Sequence, residues 1–331
     1  MNSEFIDLGF DKYFYAKGMR SIAGQFTQNN RCGIYILHFE NREFYVGLAI
    51  DVVNRYAQHR QNHKDIEFVS FKEVAKAKLA DIERQTVFSL ERLNKPLRNI
   101  NIVSTIIGDT DLDLIIPKAE QDIWINKELT LEEIETERFE YPVLRAKYEK
   151  KYQKLSQHPL KDEIFSYTRA YTLTTIPFPK KTEYSFWSIS CLPATNQVNL
   201  VRTNIYWQET FVISDYKFDE NLPHSEANTG LEILIWVTKS VLEKHNLFSS
   251  LKEKFRTLEF FDYNHSSGGQ DQQCIGIEGF EFNDFLFTEG VIESCRTFNL
   301  RLMRKGGCIW NRYHCFHLAD TALNTCDINV E

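Results

Sequence analysis

Residues 33–48 read Gly33-Ile34-Tyr35-Ile36-Leu37-His38-Phe39, then Glu40-Asn41-Arg42-Glu43, then Phe44-Tyr45-Val46-Gly47-Leu48. The first and third runs consist mostly of β-branched and aromatic residues, and the polar run between them suits a tight turn. This pattern predicts a β-hairpin. With a turn centred near Asn41, Tyr35 lies opposite Gly47, and Tyr45 is diagonal to Tyr35 on the same face.

The two tyrosines allow two interpretations. Tyrosines are common in strands and a glycine often marks a bulge, so the hairpin can be purely structural. Alternatively, two phenols that flank a position without a side chain leave room for a ligand or another backbone.

A basic helical face is predicted next in the chain. Asp51 can cap a helix over residues 52–62. Arg55 and His59 are four residues apart, so they share one face of this helix. A guanidinium and an imidazole together suit a phosphate, although a solvated cationic surface has the same pattern. Two nearby residues are further candidates for DNA contact: Arg60 and His63.

A single carboxylate stands out in the following segment. Residues 66–71 alternate as a third strand, and a long helix is expected over about 72–94. Glu83 lies in this helix among apolar neighbours on the same face. A carboxylate in an apolar stripe needs a cation or a metal, and a structural salt bridge with Arg84 or Arg55 is the alternative.

Together, the order and spacing of these residues over 31–103 resemble the catalytic domain of the GIY-YIG nuclease family. The positions that carry the resemblance are, in chain order, Gly33-Ile34-Tyr35, Tyr45-Val46-Gly47, Arg55, His59, Glu83 and Asn99. Val46 stands where the family usually has isoleucine. Asn54 stands where some members have a lysine before the arginine, which leaves open whether a second cation takes part.

The resemblance implies a metal-dependent hydrolysis of a phosphodiester without a covalent intermediate. Glu83 would bind one divalent metal ion, and a hard oxygen ligand suits Mg²⁺ or Mn²⁺. Tyr35 would help to take a proton from the attacking water, which requires nearby cations to make the phenol more acidic. Tyr45 would orient the water or the phosphate.

The resemblance implies three further roles. Arg55 would hold the non-bridging phosphate oxygens and offset negative charge in the transition state. His59 would shuttle a proton or contact phosphate. Asn99 would fix the geometry around Glu83 or the backbone.

Composition and cysteine usage suggest a cytoplasmic protein without a membrane partner. The 331 residues include 43% hydrophobic and 26% charged residues, as in ordinary globular proteins. No apolar run approaches the roughly 20 residues of a membrane span, and the N-terminal residues do not resemble a signal peptide. The seven cysteines are scattered without a Cys-x-x-Cys pair, which predicts reduced thiols.

The net charge of −7 argues against tight nonspecific DNA binding, but its distribution is uneven. Residues 31–103 carry 12 Lys and Arg against 9 Asp and Glu. Residues 104–160 carry 8 against 12, and residues 161–331 carry 16 against 22. The segment that resembles a nuclease is therefore the one with a positive balance.

The sequence predicts an α+β protein in four parts. An N-terminal extension over 1–30 precedes a nuclease-like domain over 31–103, which is expected to contain a small three-stranded antiparallel sheet with flanking helices. A charged helical connector over 104–160 then leads to an α+β targeting or regulatory domain over 161–331 that is rich in antiparallel strands. The strand-rich region is expected to begin at 171–176 and to include 183–190, 197–203 and 205–214. An amphipathic helix is expected over 231–251 and a polar loop over 264–273.

One basic segment interrupts the acidic C-terminal half. Residues 296–312 carry five basic residues and no carboxylate, and Trp310 lies among them. The functional interpretation is a phosphate-contacting loop with an aromatic for base contact, and the alternative is a hairpin whose charges pair with the surplus acids. The candidate DNA contacts here are Arg301, Arg304, Lys305 and Arg312.

These observations favour a metal-dependent DNA endonuclease with a C-terminal targeting domain. A role in restriction or phage defence is an inference from architecture by analogy. An inactive nucleic-acid-binding or assembly module and a structure-specific repair nuclease are the alternatives. Cutting both strands of a palindrome would require a homodimer or a higher oligomer, because one such site cuts one strand.

Overall fold

The computed structural model describes residues 3–106, 108–126, 138, 142–193, 198–215 and 230–324. The chain divides into two compact units, Met1–Ile107 and Gly108–Glu331. Each unit contains an antiparallel sheet with helices, so the expected α+β class is confirmed. No helix in the described ranges is long and apolar enough to cross a membrane.

The sheet of the first unit has four strands, ordered β1-β4-β2-β3. They are β1 (Lys12–Tyr15), β2 (Gly33–Phe39), β3 (Phe44–Ala49) and β4 (Ile66–Glu73). The sequence predicts three of them. The fourth, β1, comes from the N-terminal extension and pairs with β4, from Lys12 opposite Phe71 to Tyr15 opposite Phe68. The expected three-stranded sheet is therefore four-stranded.

Three α-helices accompany this sheet: α1 (Ser3–Asp7), α2 (Val52–Asn62) and α3 (Leu79–Arg92). Helix α2 begins as predicted, because the Asp51 side chain accepts hydrogen bonds from the first free backbone N–H groups. Helix α3 begins later than the predicted helix over 72–94. Strand β4 continues to Glu73, which pairs with Gly33, so the backbone there belongs to the sheet.

Both faces of the first sheet are covered, which explains why every residue of β2 is buried. Alternate residues of β2 point to opposite faces. Tyr35 and Leu37 pack in a cluster with α2, and Ile34 and Ile36 pack in a cluster with α3. The two helices therefore lie on opposite sides of the hairpin.

The second unit contains a six-stranded antiparallel sheet, ordered β5-β6-β7-β8-β10-β9. Its strands are β5 (Trp187–Cys191), β6 (Asn199–Ile205), β7 (Gln208–Asp215), β8 (Leu231–Val237), β9 (Glu259–Phe261) and β10 (Gln273–Glu278). Its described α-helices are α4 (Lys118–Asn126), α5 (Pro142–Arg145), α6 (Glu149–Leu155), α7 (Lys161–Thr175), α8 (Pro179–Thr182), α9 (Lys239–Lys244), α10 (Leu247–Lys254), α11 (Gly279–Leu286), α12 (Val291–Arg304) and α13 (Phe316–Leu323). Part of the expected connector, at 127–137 and 139–141, lies outside the described residues.

The predicted helix over 231–251 is wrong. Leu231–Val237 is a strand in the interior of the sheet, and helices follow only from Lys239. This strand pairs on both sides, with β7 and β10, and five of its seven residues are buried. A strand buried on both faces reads as a short apolar run, and such a run cannot be told from a buried helix by periodicity.

The predicted start of the strand region at 171–176 is also wrong, because residues 171–175 form the last turns of α7. Threonine favours strands, but here its hydroxyl groups bond helical carbonyls one turn earlier. Thr174 Oγ1 donates to the Ala170 carbonyl, and Thr175 Oγ1 donates to the Tyr171 carbonyl, each at 2.7 Å. Burial against the core outweighs the strand preference of these residues.

The basic segment over 296–312, expected to be a loop or a hairpin, is helical over more than half of its length. It runs through the second half of α12 to Arg304, and a short 3₁₀ turn follows at Asn311–Tyr313. The polar loop over 264–273 is partly interior, since the Gln272 side chain is buried and donates to the His265 carbonyl at 2.6 Å.

Candidate active site

The hairpin places its two tyrosines in the predicted register. Tyr35 pairs with Gly47, and Leu37 pairs with Tyr45. The two phenol rings lie 6.3 Å apart between centroids. Because side chains two residues apart on one strand share a face, both phenols are on the α2 side of the sheet.

The space above Gly47 is occupied by the chain's own Tyr35 ring. A Cβ at Gly47 would overlap the Tyr35 hydroxyl and its ring carbons. The glycine therefore leaves room for a phenol of the neighbouring strand, and not for a ligand or a distant backbone. Because Gly47 has no side chain, the Tyr35 ring can lie flat across β3, and the Tyr35 hydroxyl extends beyond it.

Helix α2 brings a histidine to this hydroxyl. The Tyr35 Oη lies 2.7 Å from Nε2 of His59, which is hydrogen-bond distance. The His59 ring also lies 4.8 Å from the Tyr45 ring between centroids. A phenol and an imidazole at this distance can pass a proton between them.

Arg55 lies one turn before His59 on the same helical face. Its side chain is exposed, and Nη1 donates to Oε1 of Gln58 at 3.0 Å. Its charge acts on both phenols, lowering the pKa of Tyr35 and of Tyr45 against the larger effect of burial. The guanidinium is therefore beside the tyrosines and still open to an anion.

Asn99 completes the free edge of β3. Its side-chain Nδ2 donates to the Val46 carbonyl at 2.6 Å, and its Oδ1 accepts from the Val46 N–H at 2.9 Å. The amide thus replaces a neighbouring strand at this position. The resemblance implies that Asn99 fixes the geometry either around Glu83 or of the backbone. In the structure its buried side chain holds the backbone of β3.

Glu83 is bound to the same edge of β3 at Leu48, two residues after Val46. Its Oε1 accepts from the Leu48 N–H at 3.0 Å. Among the described residues no hydrogen bond to Oε2 is present. Burial raises the pKa of Glu83, and the Leu48 N–H and the Arg55 charge lower it only in part. The carboxylate therefore lacks a close ion-pair partner, and the alternative of a salt bridge with Arg84 is not found, since Arg84 pairs with Asp81 at 3.2 Å.

Four of these groups line one open cleft of about 370 Å³ in the first unit, whereas His59 and Asn99 lie outside its lining. Tyr35, Tyr45, Arg55 and Glu83 all contribute to its wall, together with residues 47–51. They come from four different elements, β2, β3, α2 and α3. A concave site at which titratable and cationic side chains from several elements converge is a candidate active site.

Burial sets the protonation states of the two phenols and of His59, which contacts Tyr35 from outside the cleft lining. It raises the pKa of the Tyr35 phenol well above its usual value, with a further contribution from Tyr45. It lowers the pKa of His59 to about 4, and the positive charge of Arg55 acts in the same direction. At neutral pH the phenols are therefore protonated and the His59 ring is neutral.

The residues present fit a divalent cation that keeps most of its water. No group of three or more His, Cys, Asp or Glu able to hold a metal occurs in the described part of the chain, so a closed site is absent there. Mg²⁺ is commonly bound through one or two carboxylates together with substrate phosphates. The Oε2 atom of Glu83, at the edge of the open cleft, would supply one such oxygen.

Arg60 and His63 lie on or beside α2 but do not line the cleft. The His63 ring lies 5.9 Å from the His59 ring between centroids, and its Nδ1 is 3.4 Å from Nη1 of Arg98. Burial lowers the pKa of His63, and Arg98 adds to this effect. The His63 ring therefore packs beside the His59 ring, and Arg60 is partly exposed.

Two of the basic residues proposed in the second unit serve the fold. Arg301 Nη1 pairs with Asp271 Oδ2 at 2.5 Å. Lys305 is buried, and its Nζ donates to the Ser267 carbonyl at 2.5 Å. Lys305 is therefore interior, whereas Arg301 is partly exposed and uses Nη1 in its ion pair.

The other two basic residues differ in exposure. Arg304 Nη2 donates to the Gly108 carbonyl at 3.0 Å. Arg312 is exposed, and its guanidinium lies 4.8 Å from the centroid of the Tyr313 ring. Arg312 is therefore the member of this set best placed to meet an anion.

Gln58 is a site residue that the sequence analysis misses. It lines the cleft and accepts a hydrogen bond from Arg55. The available signal is its position three residues after Arg55, which places both on one helical face. Glutamine is common on exposed helix faces, so this spacing alone does not distinguish a positioning residue.

Comparisons with protein-family models, curated proteins and solved structures found no match to this chain.

Proposed function

We propose that this protein is a divalent-metal-dependent endonuclease that hydrolyses DNA phosphodiester bonds in the cleft of its first unit. One observation carries the proposal: two phenols, a guanidinium and a carboxylate from four separate elements line the same 370 Å³ cleft. Its open form admits a polymer backbone, which a closed cavity would not. The phosphodiester is the substrate that uses all four groups.

Arg55 and Tyr45 would bind and orient the scissile phosphate. The Arg55 guanidinium is exposed at the cleft and can donate to two non-bridging oxygens at once. The Tyr45 hydroxyl would donate to the phosphate or to the attacking water. These contacts strengthen as negative charge develops on the phosphoryl oxygens, which lowers the barrier to hydrolysis.

Tyr35 and His59 would move the proton of the attacking water. As the water oxygen bonds to phosphorus, its proton passes to Tyr35 Oη, and the phenolic proton passes to His59 Nε2, 2.7 Å away. The P–O bond to the leaving oxygen then breaks, and that oxygen takes up a proton from solvent. The His59 ring is neutral at pH 7 and has a lone pair that can accept the phenolic proton. Because burial lowers its pKa to about 4, the ring is a weak base, so it holds the proton only transiently and passes it on to solvent.

Glu83 would hold the metal ion at the strand edge through its Oε2 atom. Mg²⁺ or Mn²⁺ bound there would supply charge neutralisation to the scissile phosphate and the leaving oxygen. The Leu48 N–H fixes the carboxylate through Oε1, so its orientation does not depend on the metal. Asn99 holds the neighbouring residue of the same strand and is a positioning residue.

Within this proposal the second unit directs the nuclease to its target, and restriction or phage defence in the cytoplasm is the setting it suits. The acidic balance of residues 161–331 supports selective recognition over general affinity for phosphate. Cutting both strands at one locus would require a homodimer or a higher oligomer.

Cleavage of plasmid and long linear DNA tests the proposal. The full chain is assayed with Mg²⁺, with Mn²⁺ and with EDTA, beside Glu83→Gln and Arg55→Ala. We expect metal-dependent cleavage that falls about 100-fold or more in each variant. Glu73→Gln and Arg92→Ala, exposed in the same unit outside the cleft, are matched controls and should cut like the wild type.

Cleavage that survives both site substitutions would refute the assignment of the site. Binding without cleavage of any DNA under any of these metals would instead favour a nucleic-acid-binding module. Preference for branched or damaged substrates over plain duplex would identify a repair nuclease.

A further inference from the structure

The second unit contains a cavity of about 450 Å³ that the proposed function does not use. It lies at one end of the sheet, where side chains of β5, β6 and β7 meet the loops before β10 and after α12. This volume lies within the range of roughly 300–1,000 Å³ that small-molecule sites occupy. Its walls combine flat aromatic rings with hydrogen-bonding groups.

A β-bulge turns a carboxylate into this cavity. Arg202 pairs with Val212 and Thr203 with Phe211, but Asn204 then pairs with Glu209 instead of Thr210. In a regular ladder Glu209 would face the other side of the sheet. The extra residue therefore places Glu209 beside Asn204 and Arg202, and bulges frequently re-aim side chains at functional sites.

The carboxylate of Glu209 is ionised and flanked by two donors. Burial raises its pKa, but contacts with His265 and Arg202 lower it overall. Arg202 Nε is 3.1 Å from Oε2, and His265 Nε2 is 3.7 Å from Oε1. A ligand that meets this group encounters hydrogen-bond donors and an acceptor side by side.

An exposed tryptophan stands at the rim in an unfavourable turn. Tyr206 and Trp207 form the two-residue connection between β6 and β7, and Tyr206 has a φ of 55°. A positive φ in a two-residue turn favours Gly or Asn, so a tyrosine is costly at position 206. The Trp207 side chain nevertheless remains 54% exposed, which packing within the unit does not explain.

A second aromatic wall faces the same space. Trp310 and Tyr313 line the cavity with ring centroids 6.2 Å apart. These two rings and Trp207 give the cavity flat aromatic walls against which a planar ligand can stack.

We propose that this cavity binds a single nucleobase. A base offers a flat ring to Trp207 and Trp310, and its edge offers both donors and acceptors to Glu209 and His265. Lys151, exposed at the wall, supplies a positive charge suited to an attached phosphate. The inference goes beyond the proposed endonuclease and does not depend on it, because base binding is measured without cleavage.

The base can reach the cavity from two sources, a free nucleotide or a base rotated out of DNA. The first arm of the experiment titrates the full chain with the four nucleosides, their 5′-monophosphates and ribose 5-phosphate, followed by calorimetry and by tryptophan fluorescence. Trp124, Trp187 and Trp236 are at most 2% exposed, so quenching by a stacked base reports on Trp207 and Trp310. We expect at least one base to bind and quench, and ribose 5-phosphate to do neither.

The second arm measures binding of short duplexes in EDTA, with and without one mismatched pair. A mismatched base leaves the stack more easily, so a rotated-out base predicts about tenfold tighter binding of the mismatched duplex. Equal binding of both duplexes, together with nucleotide binding in the first arm, identifies a free nucleotide as the source. Either result supports the nucleobase site.

Two substitutions locate the binding. Trp207→Ala and Glu209→Gln should each weaken base binding about tenfold or more. Phe287→Ala and Glu253→Gln, exposed residues of the same unit, are the matched controls and should bind like the wild type. Glu83→Gln should abolish cleavage and leave base binding unchanged, so the two proposals can fail separately. Absence of binding in both arms, or binding that neither Trp207→Ala nor Glu209→Gln weakens, overturns the inference.

Discussion

At the scale of single residues, Gly47 and Tyr35 decide the form of the cleft. The phenol lies flat across β3 because the opposite residue has no side chain. Its hydroxyl then reaches His59, and this contact brings α2 into the site. The glycine contributes no chemistry, but the position of the tyrosine depends on it.

Gly47→Ala tests this dependence. The added Cβ overlaps the Tyr35 hydroxyl, so the ring must move and the free energy of unfolding should fall by about 1–3 kcal/mol. Cleavage should fall with it. The measurement is urea unfolding of the variant beside Gly24→Ala, where an added Cβ meets nothing within 4 Å. Equal stability of the two variants would contradict the close contact.

His38 should make the stability depend on pH. It is buried with Nε2 2.7 Å from Ser70 Oγ, and burial lowers its pKa to about 4. The unfolded chain, with a histidine pKa near 6.5, binds more protons between these two values. Stability contributed by His38 is therefore complete above about pH 6.5 and is lost as the pH falls towards 4, by at most about 3 kcal/mol.

The measurement is urea unfolding at pH 7 and at pH 4.5 for the wild type and His38→Gln. The variant should lose less stability on acidification than the wild type. His317→Gln, a partly buried histidine of the second unit, is the control. An unchanged pH dependence in His38→Gln would show that other groups account for it.

At the scale of elements, the free edge of β3 joins the fold to the site. Three alternate residues of β3 direct their backbone groups to this edge, and each has a hydrogen-bond partner. Phe44 bonds to backbone groups, Val46 bonds to the Asn99 amide, and the Leu48 N–H bonds to the Glu83 carboxylate. Unpaired edges invite association with other strands, and here they are covered. The same arrangement aims one carboxylate into the cleft.

Asn99→Ala should disrupt this edge. The Val46 N–H and carbonyl lose their partners, which lowers the free energy of unfolding by about 1–3 kcal/mol. Hydrogen exchange of the Val46 amide should become faster, which a merely surface role would not cause. Asn62→Ala, exposed at the end of α2, is the matched control. Unchanged protection of Val46 in Asn99→Ala would contradict the role of the amide.

At the scale of the whole molecule, the chain has separate cores. The clusters around Tyr35 and around Ile34 contain only residues of the first unit, and the large cluster around Trp187 contains only residues of the second. A unit with its own core can fold by itself. This separation suits a catalytic part and a recognition part.

The expressed fragment 1–107 should therefore unfold cooperatively and retain metal-dependent cleavage with lower selectivity. Circular dichroism during heating and mapping of cut positions on a long DNA measure the two properties. The same fragment with Glu83→Gln controls for contaminating nuclease. A fragment that shows no cooperative unfolding would contradict the independence of the first core.

How far the sequence predicts this structure differs between the units. In the first unit the hairpin register, the cap of α2 and the third strand follow from local rules, because turn residues and alternation act over short distances. In the second unit β8 and the end of α7 are misassigned. Their residues are buried on more than one side, so the periodicity that distinguishes helix from strand is lost.

The sequence by itself determined the α+β class, the pairing of Tyr35 with Gly47, and the helical faces that carry Arg55 and His59. Only the tertiary structure decided that the Tyr35 ring fills the space above Gly47, that Asn99 completes β3, that Lys305 is interior and that a bulge turns Glu209 into a cavity. The first group depends on backbone periodicity and turn chemistry within a few residues. The second depends on which distant side chains compete for one buried space, and that competition is settled by packing and hydrogen bonding across the fold.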